Sequence, residues 1–104
     1  MFLDVNGRPV NEGEPFIAAK RSGDKDRILY RESDVEQLID DLRKLPGTSR
    51  FLLNKDFWLN NPCRWVFVGI DIECQGLCPS AGERCSEYSV AADSDIDACR
   101  CRPR

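Results

Sequence analysis

The longest strongly apolar run in the chain lies in the stretch Cys63-Arg-Trp-Val-Phe-Val-Gly-Ile-Asp-Ile-Glu-Cys74, which reads as a strand. At a period of two, Val66, Val68, Ile70, Ile72 and Cys74 share one face, and Cys63, Trp65, Phe67, Asp71 and Glu73 the other. The first face is apolar throughout. The second is apolar at its start and charged at its end. This pattern predicts a central strand whose far end reaches water. Gly69 within it predicts a bulge or a close backbone approach, or room for Trp58 or Trp65 to pack across it.

The chain before this stretch predicts a sheet crossed by one helix. Asn6-Gly7, flanked by Phe2, Leu3, Val5 and Val10, is the dipeptide of a type I′ hairpin turn. Pro9 lacks a backbone donor and places that arm at an edge or a strand end. After the loop at 11–15, Phe16–Lys20 and Arg27–Tyr30 read as short strands joined through Ser22-Gly23-Asp24. Residues 33–45 carry Val35, Leu38, Ile39, Leu42 and Leu45 at helical spacing, an apolar stripe suited to packing on a sheet. Ser33 and Glu36 have the spacing of a capping box. Asp34 and Glu36 near the start, with Arg43 and Lys44 near the end, suit the helix dipole. Pro46-Gly47 stops the helix. Residues 48–62 fit a short helix, a strand pair or a packed loop, and Asn60-Asn61-Pro62 is a turn into the main strand.

After Cys74 a turn-rich loop covers 75–82. A strand is predicted over Arg84–Ala92, with Ser86, Tyr88 and Val90 on one face, then a polar turn at Asp93–Asp97. A last strand over 98–102 places Cys99 and Cys101 on one face and Arg100 and Arg102 on the other. The order strands, helix, strands predicts one small α+β domain over 1–104. Strands plus the helix occupy 1–62, and a cysteine-cross-linked antiparallel β-hairpin unit, counted as three strands, occupies 63–104.

Composition bounds the function. The 104 residues are 41% hydrophobic and 32% charged, with a net charge of −3, as expected of a globular chain rather than a disordered one. An acidic balance argues against a general nucleic-acid binder. No apolar run is long enough to cross a bilayer, which argues against a membrane partner. The first residues lack the pattern of a secretory signal, which favours the cytoplasm. Six cysteines in so short a chain favour an oxidising compartment instead.

The cysteine spacing, C-x10-C-x3-C-x6-C-x13-C-x-C, admits three readings. As disulfides, the six allow fifteen connectivities, and Cys99 and Cys101 on one strand each require a partner elsewhere. As a metal site, Cys74, Cys78, Cys99 and Cys101 are the best four ligands for zinc or an iron–sulfur centre, with Cys85 a fifth candidate. The spacing departs from the paired C-x2-C knuckles of the strongest zinc signals. As free thiols, one or two would be buried as small apolar groups. With no histidine and no C-x-x-C motif, a catalytic cysteine is poorly supported.

Other chemistry is sparse. Asp93-Ser-Asp-Ile-Asp97 has carboxylates at alternate positions, as at the start of a calcium loop, but lacks that loop's glycine and distal glutamate. Asp40-Asp41 lie on a polar helix face. Arg100, Arg102 and Arg104 make a basic tail that suits either an acidic partner or a solvated strand face. Aromatic residues cluster in 51–67, and Phe57, Trp58 and Trp65 are the candidate partner-binding residues, set against an ordinary core role. The expected function is therefore a small, cysteine-stapled, non-enzymatic protein that binds another macromolecule, with a protein the favoured partner, such as an inhibitor, an immunity-type protein or an accessory subunit. The alternative is a metal-binding protein with a cysteine-thiolate zinc or iron–sulfur site.

Overall fold

The structure, a computed structural model, describes residues 2–23, 26–90 and 95–104. The fold is α+β, with a mostly antiparallel five-stranded sheet, one main helix and three disulfides. Among the described residues the strands are β1 (Phe2–Asp4), β2 (Pro15–Phe16), β3 (Ala18–Arg21), β4 (Arg27–Tyr30), β5 (Arg64–Val68), β6 (Asp71–Gln75), β7 (Glu83–Ser89) and β8 (Ile96–Pro103). The larger sheet has the order β1-β4-β3-β8-β7, with β1 parallel to β4 and the other pairs antiparallel. A smaller antiparallel sheet has the order β2-β5-β6. The segments 1–62 and 63–104 are interleaved, because β8 lies between β3 and β7, and β2 pairs with β5.

Alternation along β3, β4 and β8 divides the side chains between two cores. Ala18, Tyr30, Ile96 and Ala98 face a helical layer with Leu38, Ile39, Leu42 and Trp58. Ala19, Leu29 and Cys99 face the smaller sheet with Phe16, Cys63 and Trp65. The molecule is therefore three layers: helices, large sheet, small sheet. The run expected as one strand, Phe16–Lys20, switches sheets at Ile17, so Phe16 and Ile17 are buried in different cores.

The helical layer contains α1 (Val35–Arg43), a 3₁₀ turn over Arg50–Leu53, and α2 (Lys55–Leu59). The stripe of Val35, Leu38, Ile39 and Leu42 is buried as its spacing predicts. The expected start differs. Ser33 lies inside a 3₁₀ turn over Glu32–Asp34, where the Asp34 carboxylate accepts from the Arg31 amide at 3.1 Å. Glu36 instead pairs with Lys55 at 2.8 Å. Beyond the helix, Thr48 Oγ1 donates to the Leu42 and Leu45 carbonyls, and Gly47 takes φ +73°. Over 48–62 the short-helix alternative is the one realised. The Asn54 side chain caps α2 by accepting from the Asp56 amide at 3.0 Å. Arg64 then ties α2 to β5 by donating to the Leu59, Asn61 and Cys63 carbonyls.

The expected central strand over 63–74 is instead a tight hairpin. Val68 pairs with Asp71, and Gly69 and Ile70 form the turn, with Gly69 at φ +65°. A positive φ confined to the first of two turn residues is the type II′ pattern. Twelve extended residues would span about 40 Å, while the longest dimension of the molecule is 37 Å. A two-residue turn also reverses parity. Trp65 comes opposite Cys74 and Phe67 opposite Ile72 on the inner face, and Val66 and Val68 are turned outward. The three-stranded unit expected over 63–104 is therefore two hairpins in two sheets.

At the N-terminus Asn6-Gly7 does turn the chain, but the geometry is not type I′. Only Gly7 has positive φ, the Gly7 amide donates to the Asp4 carbonyl at 3.0 Å, and Pro9 makes a single bridge to Leu3. β1 instead pairs mainly with β4. β7 matches the expected strand up to Ser89, and β8 has the expected faces. Asp24, Ala91, Ala92, Asp93 and Ser94, with what the sequence predicts for them, lie outside the described residues; of the candidate calcium turn, Asp97 lies in β8, where it is buried and faces Arg21.

Candidate functional site

Three features stand out: a sulfur cluster between the sheets, a carboxyl pair beside it, and an apolar groove at the hairpin tip.

The sulfur cluster grows from the facing surfaces of the two sheets. Cys85 on β7 and Cys101 on β8 are directly opposite in register and project to the same side. Cys63, just before β5, and Cys78, in the loop after β6, meet them from the other layer. The bonds formed are Cys63–Cys85 and Cys78–Cys101, while Cys74–Cys99 lies apart. Across the two adjacent bonds, Cys63 Sγ is 3.6 Å from Cys101 Sγ and 3.9 Å from Cys78 Sγ, and Cys78 Sγ is 3.8 Å from Cys85 Sγ. The main chain at Gly76 crosses directly over this cluster. A Cβ there would lie 2.3 Å from the Pro62 carbonyl oxygen and 3.0 Å from Cys85 Sγ, and its φ is +141°. No side chain fits, and the backbone conformation favours glycine.

Of the quartet expected as a metal site, Cys74 bonds Cys99 and Cys78 bonds Cys101. The four sulfurs that converge are instead Cys63, Cys78, Cys85 and Cys101, all within 4.8 Å of one another. Sequence spacing missed this set because Cys85 and Cys101 are brought together by strand register, not by proximity in the chain.

Glu87 and Asp97 form a carboxyl pair at the edge of a cleft of about 190 Å3 between the sheets, with Arg27, Trp65 and Asp71 nearby. Asp97 is buried. It accepts from Ser89 Oγ at 3.2 Å and faces Arg21 Nε at 3.6 Å. Desolvation and the hydrogen-bonded Asp97 carboxylate raise the Glu87 carboxyl above its ordinary value, against the pull of Arg21 and Arg27. Such a pair can hold a shared proton. No cysteine thiol or histidine faces it as a nucleophile, since every cysteine is disulfide-bonded and the chain has no histidine.

The apolar groove, of about 590 Å3, runs between β1 and the β5–β6 tip and is lined by Phe2, Leu3, Pro9, Val10, Phe67 and Ile70. Phe2 and Phe67 meet edge to face across it, 5.4 Å apart. Ile70, the second residue of the type II′ turn, is 93% exposed, and Val68 beside it is also exposed. Both belong to the apolar face that a continuous central strand would have buried.

The candidate partner-binding aromatics lie elsewhere. Trp58 is 1% exposed and donates to the Leu52 carbonyl at 2.8 Å. Trp65 is 6% exposed and donates to the Asp97 carbonyl at 3.2 Å. Neither presents its ring to a partner, because each indole fills a core and spends its donor there. Phe57 is half-buried among Phe51, Trp58, Tyr88 and the Arg100 guanidinium 4.0 Å over its ring. The basic tail is likewise engaged: Arg100 donates to the Phe57 carbonyl, Arg102 lies over the Tyr88 ring, and Arg104 Nε donates to the Glu83 carbonyl at 3.4 Å.

No helix among the described residues is long and apolar enough to cross a membrane. No family model matches the chain, and neither the curated proteins nor the solved structures contain a significant match to it.

Proposed function

We propose that this small disulfide-stapled protein acts by binding another protein through the apolar groove and the hairpin tip beside it, rather than by catalysis. The exposure of Ile70 carries this reading. A fully exposed isoleucine at a tight turn gains nothing for the fold, and it stands next to a concave apolar surface. Knob and groove together match an apolar segment of a partner protein, which would bury both. No charged side chain is among the groove-lining residues, so an ionic ligand finds no complement there. The rigid frame suits the role, since disulfides on the inner face hold the hairpin without ordering on contact.

The test uses the oxidised protein and a random peptide display library. The expected result is enrichment of apolar, uncharged peptides whose binding weakens on Ile70→Asp. Full burial of an isoleucine contributes about 1.5–3 kcal/mol, so affinity falls by roughly 10-fold or more. The variant's thermal midpoint stays unchanged, because the side chain makes no core contact. The reading fails if no peptide is enriched, or if enriched peptides bind Ile70→Asp and the wild type equally well.

A further inference from the structure

We infer that the chain contains a redox-gated zinc site at Cys63, Cys78, Cys85 and Cys101, closed by the two adjacent disulfides in the oxidised protein and opened by a dithiol reductant. Four zinc-bound thiolates at about 2.3 Å from the metal stand roughly 3.8 Å from one another at the corners of a tetrahedron. Three of the four separations across the two disulfides, 3.6, 3.8 and 3.9 Å, already have that value. All four sulfurs lie within 4.8 Å of one another. The largest change required is at the two bonded pairs, which must open once reduced. The ligands come two from each layer. Cys85 and Cys101 are adjacent on β7 and β8, and Cys63 and Cys78 flank the β5–β6 hairpin. The metal would therefore cross-link the same elements that the disulfides cross-link.

Two further observations fit a site of this size. Glycine at position 76 leaves the cluster its space, since a Cβ there would press on Cys85 Sγ and the Cys63 Cα. Cys63 is buried, whereas Cys78, Cys85 and Cys101 are only partly so, which gives reductant and ion a way in. The chemistry balances. Two protein disulfides and two molecules of a dithiol yield four protein thiols and two oxidised dithiols, each disulfide taking two electrons and two protons. The four thiols then bind one Zn²⁺ and release four protons, leaving a tetrathiolate complex of net charge −2. Cys74 and Cys99 stand outside the quartet and are not needed as ligands. None of the four cysteines lines the apolar groove, so the site stands or falls independently of the binding reading above.

The experiment compares oxidised and dithiol-reduced protein exposed to zinc, then desalted. Elemental analysis, X-ray absorption at the zinc edge and the visible spectrum of the cobalt(II) form are the readouts. The expected result is one zinc per reduced chain and none per oxidised chain, four sulfur neighbours at the metal, and the intense absorption of tetrahedral tetrathiolate cobalt. Cys74→Ser/Cys99→Ser keeps one zinc with four sulfurs, and Cys63→Ser/Cys85→Ser loses it. The inference is overturned if the reduced wild type takes up no stoichiometric zinc, if fewer than four sulfurs surround it, or if Cys74→Ser/Cys99→Ser loses the ion or a sulfur neighbour. The sulfur count on the reduced wild type tests for a tetrathiolate site, and the count on Cys74→Ser/Cys99→Ser, which leaves only the four named cysteines, assigns it to them.

Discussion

The two faces of the five-stranded sheet are held in different ways. On the helical face, Leu38, Leu42, Leu52 and Trp58 are fully buried against Tyr30, Ile96 and Ala98, and hydrophobic packing does the work. The opposite face packs Phe16, Leu29 and Trp65 with Phe2, Val10, Phe67 and Ile72, and the rest of that contact, with β7 and the end of β8, is cystine sulfur. The loop after β6 cannot add to that core: Leu77 is 89% exposed, and Gly76 contributes no side chain. Disulfides replace apolar area where the chain has little to bury, as small stapled domains require.

Reduction of all three bonds should separate the two faces most strongly. Each closes a loop of 22 to 25 residues, worth about 3 kcal/mol in the chain-entropy account. Their sum is comparable to the whole stability of a typical small domain. In metal-free, reduced and alkylated protein, amide-exchange protection is expected to vanish from β5, β6 and β7 before α1 and β4. Simultaneous loss everywhere would show that the two faces do not differ in this way.

Leu38→Ala probes the other side. Its side chain has no exposed surface, and truncation is expected to cost about 2–5 kcal/mol. Intact mass should still show three disulfides. An unchanged denaturation midpoint would mean that the helical layer contributes little.

Gly76→Ala comes next, at about 1–3 kcal/mol from crowding. It is read by chemical denaturation and by the yield of correctly paired protein on oxidative refolding. A wild-type yield and midpoint would contradict the close approach of the backbone to the cluster.

A smaller effect comes from the ion-pair group at the edge of the large sheet. Burial alone would raise the Asp4 carboxyl, but the Arg8 and Asn6 amides and the Arg31 guanidinium together outweigh it and hold it below the ordinary range. Hydrogen bonding to Arg31 does the same for Glu14. A lowered folded value means that this stabilisation is present above about pH 4, the ordinary carboxylate range. It is lost as pH falls through the folded values. Acid titration of stability should show that loss, and Arg31→Met should flatten it. An unchanged acid limb in Arg31→Met would rule the group out.

The smallest effect is at Glu87. Its raised carboxyl makes the contribution opposite in sign, present at low pH and lost as pH rises through the folded value. Glu87→Gln should therefore raise stability at neutral pH, by less than about 1 kcal/mol for so solvated a group. A decrease measured by thermal denaturation would show that the charge is favourable where it stands.

Features that depend on neighbours a few residues away were legible in the chain. The stripe from Val35 to Leu42 specifies its buried face through helical geometry alone, and the turn residues at 22–23 and 46–47 fall where the chain reverses or stops. The site was less so. Val68-Gly69-Ile70-Asp71 carries a hairpin signal in its glycine, but strong alternation on both sides makes the same residues look like one strand. That parity error hides the exposure of Ile70 and also assigns Val66 and Val68 to the wrong face. Trp58 and Trp65 look like contact residues by type, and only their burial in two cores removes them from the surface.

The sequence by itself determined an α+β chain with one amphipathic helix, short strands and six cysteines available for cross-linking, because periodicity and turn chemistry act over a few residues. It left fifteen disulfide pairings open and pointed to Cys74, Cys78, Cys99 and Cys101 as the natural quartet. Tertiary structure chose Cys63, Cys78, Cys85 and Cys101, and set Ile70 beside its groove. The reason is physical: which sulfurs meet depends on strand register and on which sheet faces pack together, and neither is a property of spacing along the chain.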